Sequence, residues 1–163
     1  MSSFYFVKKM IKYNIMKEIR KINSGKEKPE FIIVGIVLNK KGEVMIVKRK
    51  RKEITLKGKE LIWVFPGGRQ EDGETREDRV VKEVLAETGY RVKPIRQIHL
   101  RVHPDVLKMT AYFLCELEKE EPVKEIEEKD EIEEVRWVKP EELKNYFTTD
   151  IDPEVKKVLG IKE

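Results

Sequence analysis

The stretch GGRQEDGETREDRVVKEVLAETGY, residues 67–90, constrains the chain more than any other, because it holds a helix with both ends written in the sequence. Thr75 is placed to cap the amino end, with Asp78 three positions on completing a capping box, and Gly89 to end the helix in the left-handed conformation. At about 100° per residue Val80, Val81, Val84 and Leu85 share one face, and Glu83, Glu87 and Arg76 run as a stripe along its border. Two carboxylates one turn apart therefore line the edge of the core that this helix covers. Charged residues make up 40% of the chain, a Lys/Glu-rich composition common in heat-adapted proteins, so most glutamates here are solvated surface. The helix alone does not single out Glu83 and Glu87; its surroundings must.

Around it the pattern is that of strands. FIIVGIVLN and EVMIVKR flank the turn KKG and predict a β-hairpin with Gly42 at positive φ. IWVF at 62–65 runs straight into Pro66-Gly67-Gly68. VKPIRQIHLRV, KMTAYFLCELE and EIEEVRWV predict three more strands, and PEELKNYF and DPEVKKVL two short helices, an order too mixed for simple βαβ winding. The segment KRKRKEITLKGK at 48–59 has seven basic residues and one acid and is expected as a basic loop; the acidic run from Glu116 to Glu134 is expected as a solvated one. With 163 residues, 39% of them hydrophobic, the chain can bury one core, assigned to 31–163. Residues 1–30 read as a basic helical extension whose Phe6, Met10, Ile11, Ile15, Ile19 and Ile22 recur at helical spacing, suited to packing on the domain or on a second copy in a homodimer.

The net charge of +4 is too small an excess to imply a nucleic-acid binder. Cys115 is the single cysteine and lies in an apolar run, so it reads as a small buried hydrophobe; internal disulfides are excluded, which fits a reducing, cytoplasmic setting. No segment approaches the roughly 18 apolar residues of a membrane span.

From Gly68 five residues lead to Glu74, seven more to Lys82-Glu83-Val84, and Glu87, Gly89 and Tyr90 complete a pattern. It resembles the Nudix box, G-x5-E-x7-R-E-U-x-E-E-x-G-U with U apolar, with Lys82 in place of Arg and Ala86 in place of the first glutamate of the final pair. The resemblance extends over roughly residues 31–160. It implies an α/β fold, a Nudix-type α/β/α sandwich with a mixed β-sheet. It also implies a Mg²⁺-dependent hydrolase, Mn²⁺ being an alternative, that splits a nucleoside diphosphate linked to another moiety; the first expectation is a nucleoside triphosphate cut to monophosphate and pyrophosphate. Glu83 and Glu87 would then be metal ligands, Gly67 would lend its carbonyl, and Gly68, Glu74 and Lys82 would hold the loop against the helix. Glu131, six residues before Trp137, matches the family's glutamate outside the box as a further ligand, and it or Glu83 would be the base for the attacking water.

The chemistry asks for such a set. A diphosphate repels a water nucleophile, and divalent cations held by carboxylates offset that charge and activate the water. Such cations prefer oxygen ligands, so His99 and His103 are not required. The two departures bear on strength: Lys82 is a point charge where arginine is a planar fork, and Ala86 binds no cation, so weak metal binding is expected. For the substrate, Arg49 and Arg51 are candidates for a phosphate tail, and Phe147, Asp150 and Asp152 fall where MutT-like members contact the base. Pro104 lies near the proline that tags ADP-ribose members, which keeps ADP-ribose or a nucleotide sugar open. A nucleotide sensor with little catalysis stays open because of Ala86 and Lys82. An RNA role rests only on the basic segments, without the aromatic-plus-basic pattern of an RNA-binding sheet.

Overall fold

Phe31–Leu38 (β1) has eight residues without a charge, the composition of a strand covered on both faces. In the computed structural model, which describes residues 3–24 and 30–162, this strand lies inside a seven-stranded mixed sheet. Along one edge it runs parallel to Met109–Leu117 (β6), from Phe31 opposite Met109 to Leu38 opposite Glu116. Its other edge takes the three-residue strand Gly67–Arg69 (β4), antiparallel. The turn after β1 closes as the sequence predicts: Gly42 has φ 76°, and Asn39 Oδ1 accepts the Lys41 and Glu43 amides at 3.0 and 2.9 Å. The hairpin goes no further, since only Leu38 and Val44 pair across it.

Beyond that pair Val44–Ile54 (β2) leaves β1 and lies between Glu60–Val64 (β3) and Ile132–Val138 (β7), antiparallel to both. Val44, Met45, Ile46 and Val47 are fully buried, and backbone so deep inside needs ladder partners on both edges. The path β3-β2-β1-β6 ends on Val92–Val102 (β5).

Arg76–Thr88 (α2) covers one face, with Val80 and Val84 packed in the cluster of Ile33, Val37, Met45 and Phe113. It comes so close that a Cβ on Gly35 would stand 3.0 Å from the Val84 methyl. The other face is covered by Pro153–Leu159 (α3) and a 3₁₀ turn, Pro140–Asn145, whose Val155 and Leu143 pack on Ile36, Val44 and Ile46. The result is the expected sandwich.

Of the two expected loops, the basic one is largely strand, while the acidic one is, as expected, a mostly exposed loop between two strands, anchored at one end of α2. The basic segment 48–59 is an arm: β2 continues to Ile54, a tight turn with Gly58 at φ 75° follows, and β3 starts at Glu60. Pairing survives past a bulge between Lys48 and Glu53, so backbone bonds outweigh the clustering of like charge. The acidic run is docked on the carboxyl end of α2. The amides of Glu127 and Glu128 donate to the Ala86 carbonyl at 3.0 and 3.2 Å, and that of Val123 to the Gly89 carbonyl at 2.8 Å. A helix end leaves carbonyls without intrahelical partners, and this segment supplies donors for them.

Ser3–Ser24 (α1) forms the helix expected at the amino end. Among the described residues none of its side chains joins either core cluster, and Phe4, Tyr5, Phe6 and Tyr13 are exposed. The Ile22 side chain and residues 25–29 of the polar stretch lie outside the described residues. No described helix is long and apolar enough to cross a membrane.

Candidate active site

The capping expected for α2 is present: Thr75 Oγ1 accepts the Asp78 amide at 3.0 Å, and Gly89 ends the helix at φ 77°. With both ends set, Glu83 and Glu87 face Gly67 and Gly68, which reach the helix because β4 pairs with β1 beneath it. A Cβ on Gly68 would fall on the Glu83 carboxylate, and one on Gly67 on the Ile33 carbonyl. Only glycine lets backbone press this closely on both sides.

Glu87 lies deeper than the border stripe suggests. It is 6% exposed, and its Oε1 accepts the Gly67 amide at 2.7 Å. Burial pushes its carboxyl well above the usual carboxylate range; the Gly67 amide opposes this, while the negative charges of Glu83, Glu128 and Glu131 add to it. Burial also raises Glu83, against the pull of Arg79.

The planar fork missing at position 82 comes from Arg79. Its Nη1 donates to Glu83 Oε1 at 2.7 Å, and its Nε and Nη2 donate to Glu74 at 2.8 and 2.5 Å. Lys82 adds a 3.0 Å contact to Glu74. Arg79 and then Lys82 hold the Glu74 carboxyl down at about 2. Glu74, Lys82 and Glu83 are thus joined in one ion-pair group with Arg79 at its centre, and Glu83 lies against Gly68. The signal was present in the sequence, an arginine four residues before Glu83 and five after Glu74, but the box pattern directs attention to 82.

Glu131 and one residue that sequence reasoning passed over, Glu128, arrive from the docked acidic segment. The Glu128 carbonyl accepts the Glu131 and Ile132 amides at 3.1 and 2.9 Å, a tight turn that sets the two glutamates side by side. Burial first, then the charges of Glu83 and Glu131, push the Glu128 carboxyl up to about 7. Four carboxylates thus share one negative field.

Among the described residues no three of them already form a cation-coordinating cluster; Glu83 is turned onto Arg79 and Glu87 onto the Gly67 amide. The donor chemistry nonetheless fits a hard divalent cation, with carboxylate oxygens only and negative charge withdrawn from water.

A cavity of about 500 Å³ opens beside this group. Gly67, Gly68, Glu87 and Glu131 line it, as do Arg49 and Arg51 of the basic arm, and Trp63, Phe65 and Phe147 give it apolar surface. Phe147 stands edge-on to Phe65 with ring centroids 4.7 Å apart. Asp150 and Asp152 also line it, but differ in what they have left to offer. Asp152, 1% exposed, caps α3 through the Glu154 and Val155 amides at 2.7 and 3.3 Å and binds His99 Nδ1 and Arg101 Nε at 2.8 and 2.9 Å. It is occupied by the fold. Asp150 is 42% exposed, with one oxygen on Arg101 Nη1 at 2.7 Å and its amide held by buried Asp105. His103, the other histidine, accepts the Asp105 amide on Nδ1 at 3.1 Å, and burial lowers its pKa.

The raised and lowered carboxyls make opposite contributions to stability. Glu87, Glu83 and Glu128 bind protons more tightly folded than unfolded, so their contribution is complete below about 4.5 and is lost as pH rises through their folded values, about 7 for Glu128. Glu74 contributes above about 4.5 and is lost as pH falls towards 2. Melting in EDTA should therefore show the highest Tm near pH 5 and a decline towards pH 8; a Tm rising steadily from 5 to 8 would contradict the burial of these carboxyls.

The sequence profile of the NUDIX domain family matches residues 28–159. A putative 8-oxo-dGTP diphosphatase of Bacillus subtilis (strain 168) is 44% identical over 55 residues, 34% of this chain and 32% of that protein. Putative nudix hydrolase 1 of Caenorhabditis elegans is 36% identical over 75 residues, 44% of this chain and 19% of that one. The match therefore spans about a third and a fifth of these relatives' lengths. Among solved structures, a NUDIX hydrolase from Nitrosomonas europaea superposes with a TM-score of 0.61 at 18% identity, covering 82% of this chain and 88% of that one. The MutT protein from Methanosarcina mazei Go1 does so with a TM-score of 0.57 at 24% identity, covering 82% and 93%. At these identities the likeness is one of fold. Because the family match runs from before β1 to the end of α3, and so takes in the whole sandwich and the glycine-framed helix at its centre, the chain belongs to the NUDIX domain family.

Proposed function

We propose that the chain is a hydrolase of nucleoside polyphosphates, cutting a nucleoside triphosphate to monophosphate and pyrophosphate, with Mg²⁺ as the cation and Mn²⁺ as a substitute. The observation that carries this reading is the single cavity in which Glu87 and Glu131, two arginines of the arm and three aromatic rings meet. Such a lining suits a ligand with a cation-bridged polyphosphate at one end and a flat ring at the other. Glu83, Glu87 and Glu131 would hold the cation, which when bound offsets phosphate charge and activates water.

The chain's own groups divide the remaining work. Glu131 lines the cavity, while Glu83 is engaged by Arg79, so Glu131 is the better placed of the two to take the proton of the attacking water. The water oxygen bonds to a phosphorus of the α–β bridge, the P–O bond from that phosphorus to the bridging oxygen breaks, and the other product, pyrophosphate or the nucleoside monophosphate, leaves with the bridging oxygen. Arg79 keeps Glu83 aimed, and the glycines let phosphate approach backbone. Trp63, Phe65 and Phe147 offer surface to the base, and Asp150 an acceptor at its edge.

The test is release of pyrophosphate or phosphate from a panel of normal and oxidised nucleoside triphosphates, ADP-ribose, nucleotide sugars and dinucleoside polyphosphates with Mg²⁺. Turnover highest on a triphosphate supports the reading; highest turnover on ADP-ribose or a nucleotide sugar replaces the substrate, and binding without release makes the protein a sensor.

The arm has its own test. Arg51 has no ion-pair partner among the described residues, whereas Arg49 is held by Glu53 at 2.9 Å. Arg51→Gln should raise KM about 3–10-fold and flatten its salt dependence with kcat little changed, the effect of a contact equally strong in ground and transition states. Arg49→Gln should do less. Unchanged KM in both would make the arm a solvated surface.

A further inference from the structure

Position 86 is where the helix of this chain departs furthest from its family: an alanine stands three residues after Glu83 and beside Glu87, on the face that both glutamates occupy. Read from the helix alone, the carboxylate ring is short by one. The structure puts another segment at that spot. The Ala86 carbonyl accepts the amides of Glu127 and Glu128, so the docked acidic run crosses α2 at position 86 itself. The turn closed by the Glu128 carbonyl, which accepts the Glu131 and Ile132 amides, then orders the chain up to Glu131. Glu128 is half-buried, although it belongs to a segment most of whose neighbours are exposed.

We propose that Glu128 supplies, from the segment docked across α2, the cation-binding carboxylate that the helix lacks at Ala86. The inference rests on reading this site as a divalent-cation site. Glu128 bonds to its backbone anchor through the amide, so its carboxylate is spared from holding the segment in place. The helix position and the loop position are then alternatives for one function, and moving the acid from one to the other should preserve it.

The experiment is a four-way exchange: wild type, Glu128→Ala, Ala86→Glu and the double variant, with Mn²⁺ as the probe and free Mn²⁺ followed by electron paramagnetic resonance without substrate. Glu128→Gln and a far-ultraviolet spectrum of each variant check that side-chain charge, not folding, is read. Glu128→Ala and Glu128→Gln should weaken Mn²⁺ binding about 10–100-fold. The double variant should return to within about 3-fold of wild type, which a residue serving only to shape the loop would not do. Ala86→Glu alone should tighten binding little, because it adds a fifth carboxylate to a ring already filled by Glu83, Glu87, Glu128 and Glu131. Unchanged affinity in Glu128→Ala, or a double variant as weak as Glu128→Ala, overturns the inference while the cation site stands. Wild-type protein that binds no Mn²⁺ overturns both.

Discussion

Glu87→Gln should cut turnover at least about 100-fold and leave the cation-free protein as stable as the wild type or more so. The two effects have opposite signs because one carboxylate serves both. Glu87 is nearly buried, and beside three other acids its charge is a cost to the fold until a cation arrives. Glutamine keeps an oxygen for the Gly67 amide 2.7 Å away and removes the charge, so the fold loses no acceptor. Initial rates with Mg²⁺, together with melting in EDTA and in Mg²⁺, separate the effects: Mg²⁺ should raise the Tm of wild type and hardly that of the variant. Glu83→Gln should lose comparable activity but gain no stability, since its charge is already paired with Arg79. If both variants retain turnover within about 3-fold of wild type, these carboxylates are not the catalytic centre.

The second large effect belongs to a residue outside the box pattern. Arg79, Glu74 and Glu83 have side chains only 11%, 11% and 13% exposed, and among the described residues Arg79 alone pairs with both acids. Arg79→Ala should cost about 2–3 kcal/mol for the broken Glu83 pair, below the usual range for a fully buried pair because some water reaches it. That corresponds to a fall in Tm of roughly 4–12 °C for a chain of this length. Because the Glu83 carboxylate is also released from its fixed position, turnover should fall about 10–100-fold below the loss explained by unfolding. Arg79→Lys should recover little of either, as one ammonium cannot bridge two carboxylates as a fork does. A melting temperature within about 1 °C of wild type would show that Lys82 braces the loop unaided.

These two residues also show how far the sequence can be read. Glu83 and Glu87 are legible because they are bound to a local frame: a threonine cap, a glycine stop and a 3.6-residue period, all within one helix. Arg79 sits in that frame too, and its partners lie four and five residues away, yet helical spacing offers Glu83 several cations, Lys82 among them, and does not choose. The depth of Glu87 was harder still, since it depends on β4 passing beneath the helix. Glu128 was out of reach: nothing in a run rich in glutamate distinguishes the one whose backbone lies on Ala86.

Strand positions were likewise readable from apolar runs, and the turn at Gly42 from its residues. The partners of β2 were not, because a strand states which of its residues want burial but not which edge will take its hydrogen bonds. Asp152, a candidate for contacting the base, lines the cavity, and only its four contacts reveal that the fold occupies it. What the sequence determines by itself is therefore what forms within a few residues: caps, periods, turns and the acids carried on one helix. The tertiary structure alone decides which carboxylates meet, because Glu87, Glu128 and Glu131 are brought together by segment docking and strand pairing, and those depend on surfaces contributed from across the chain.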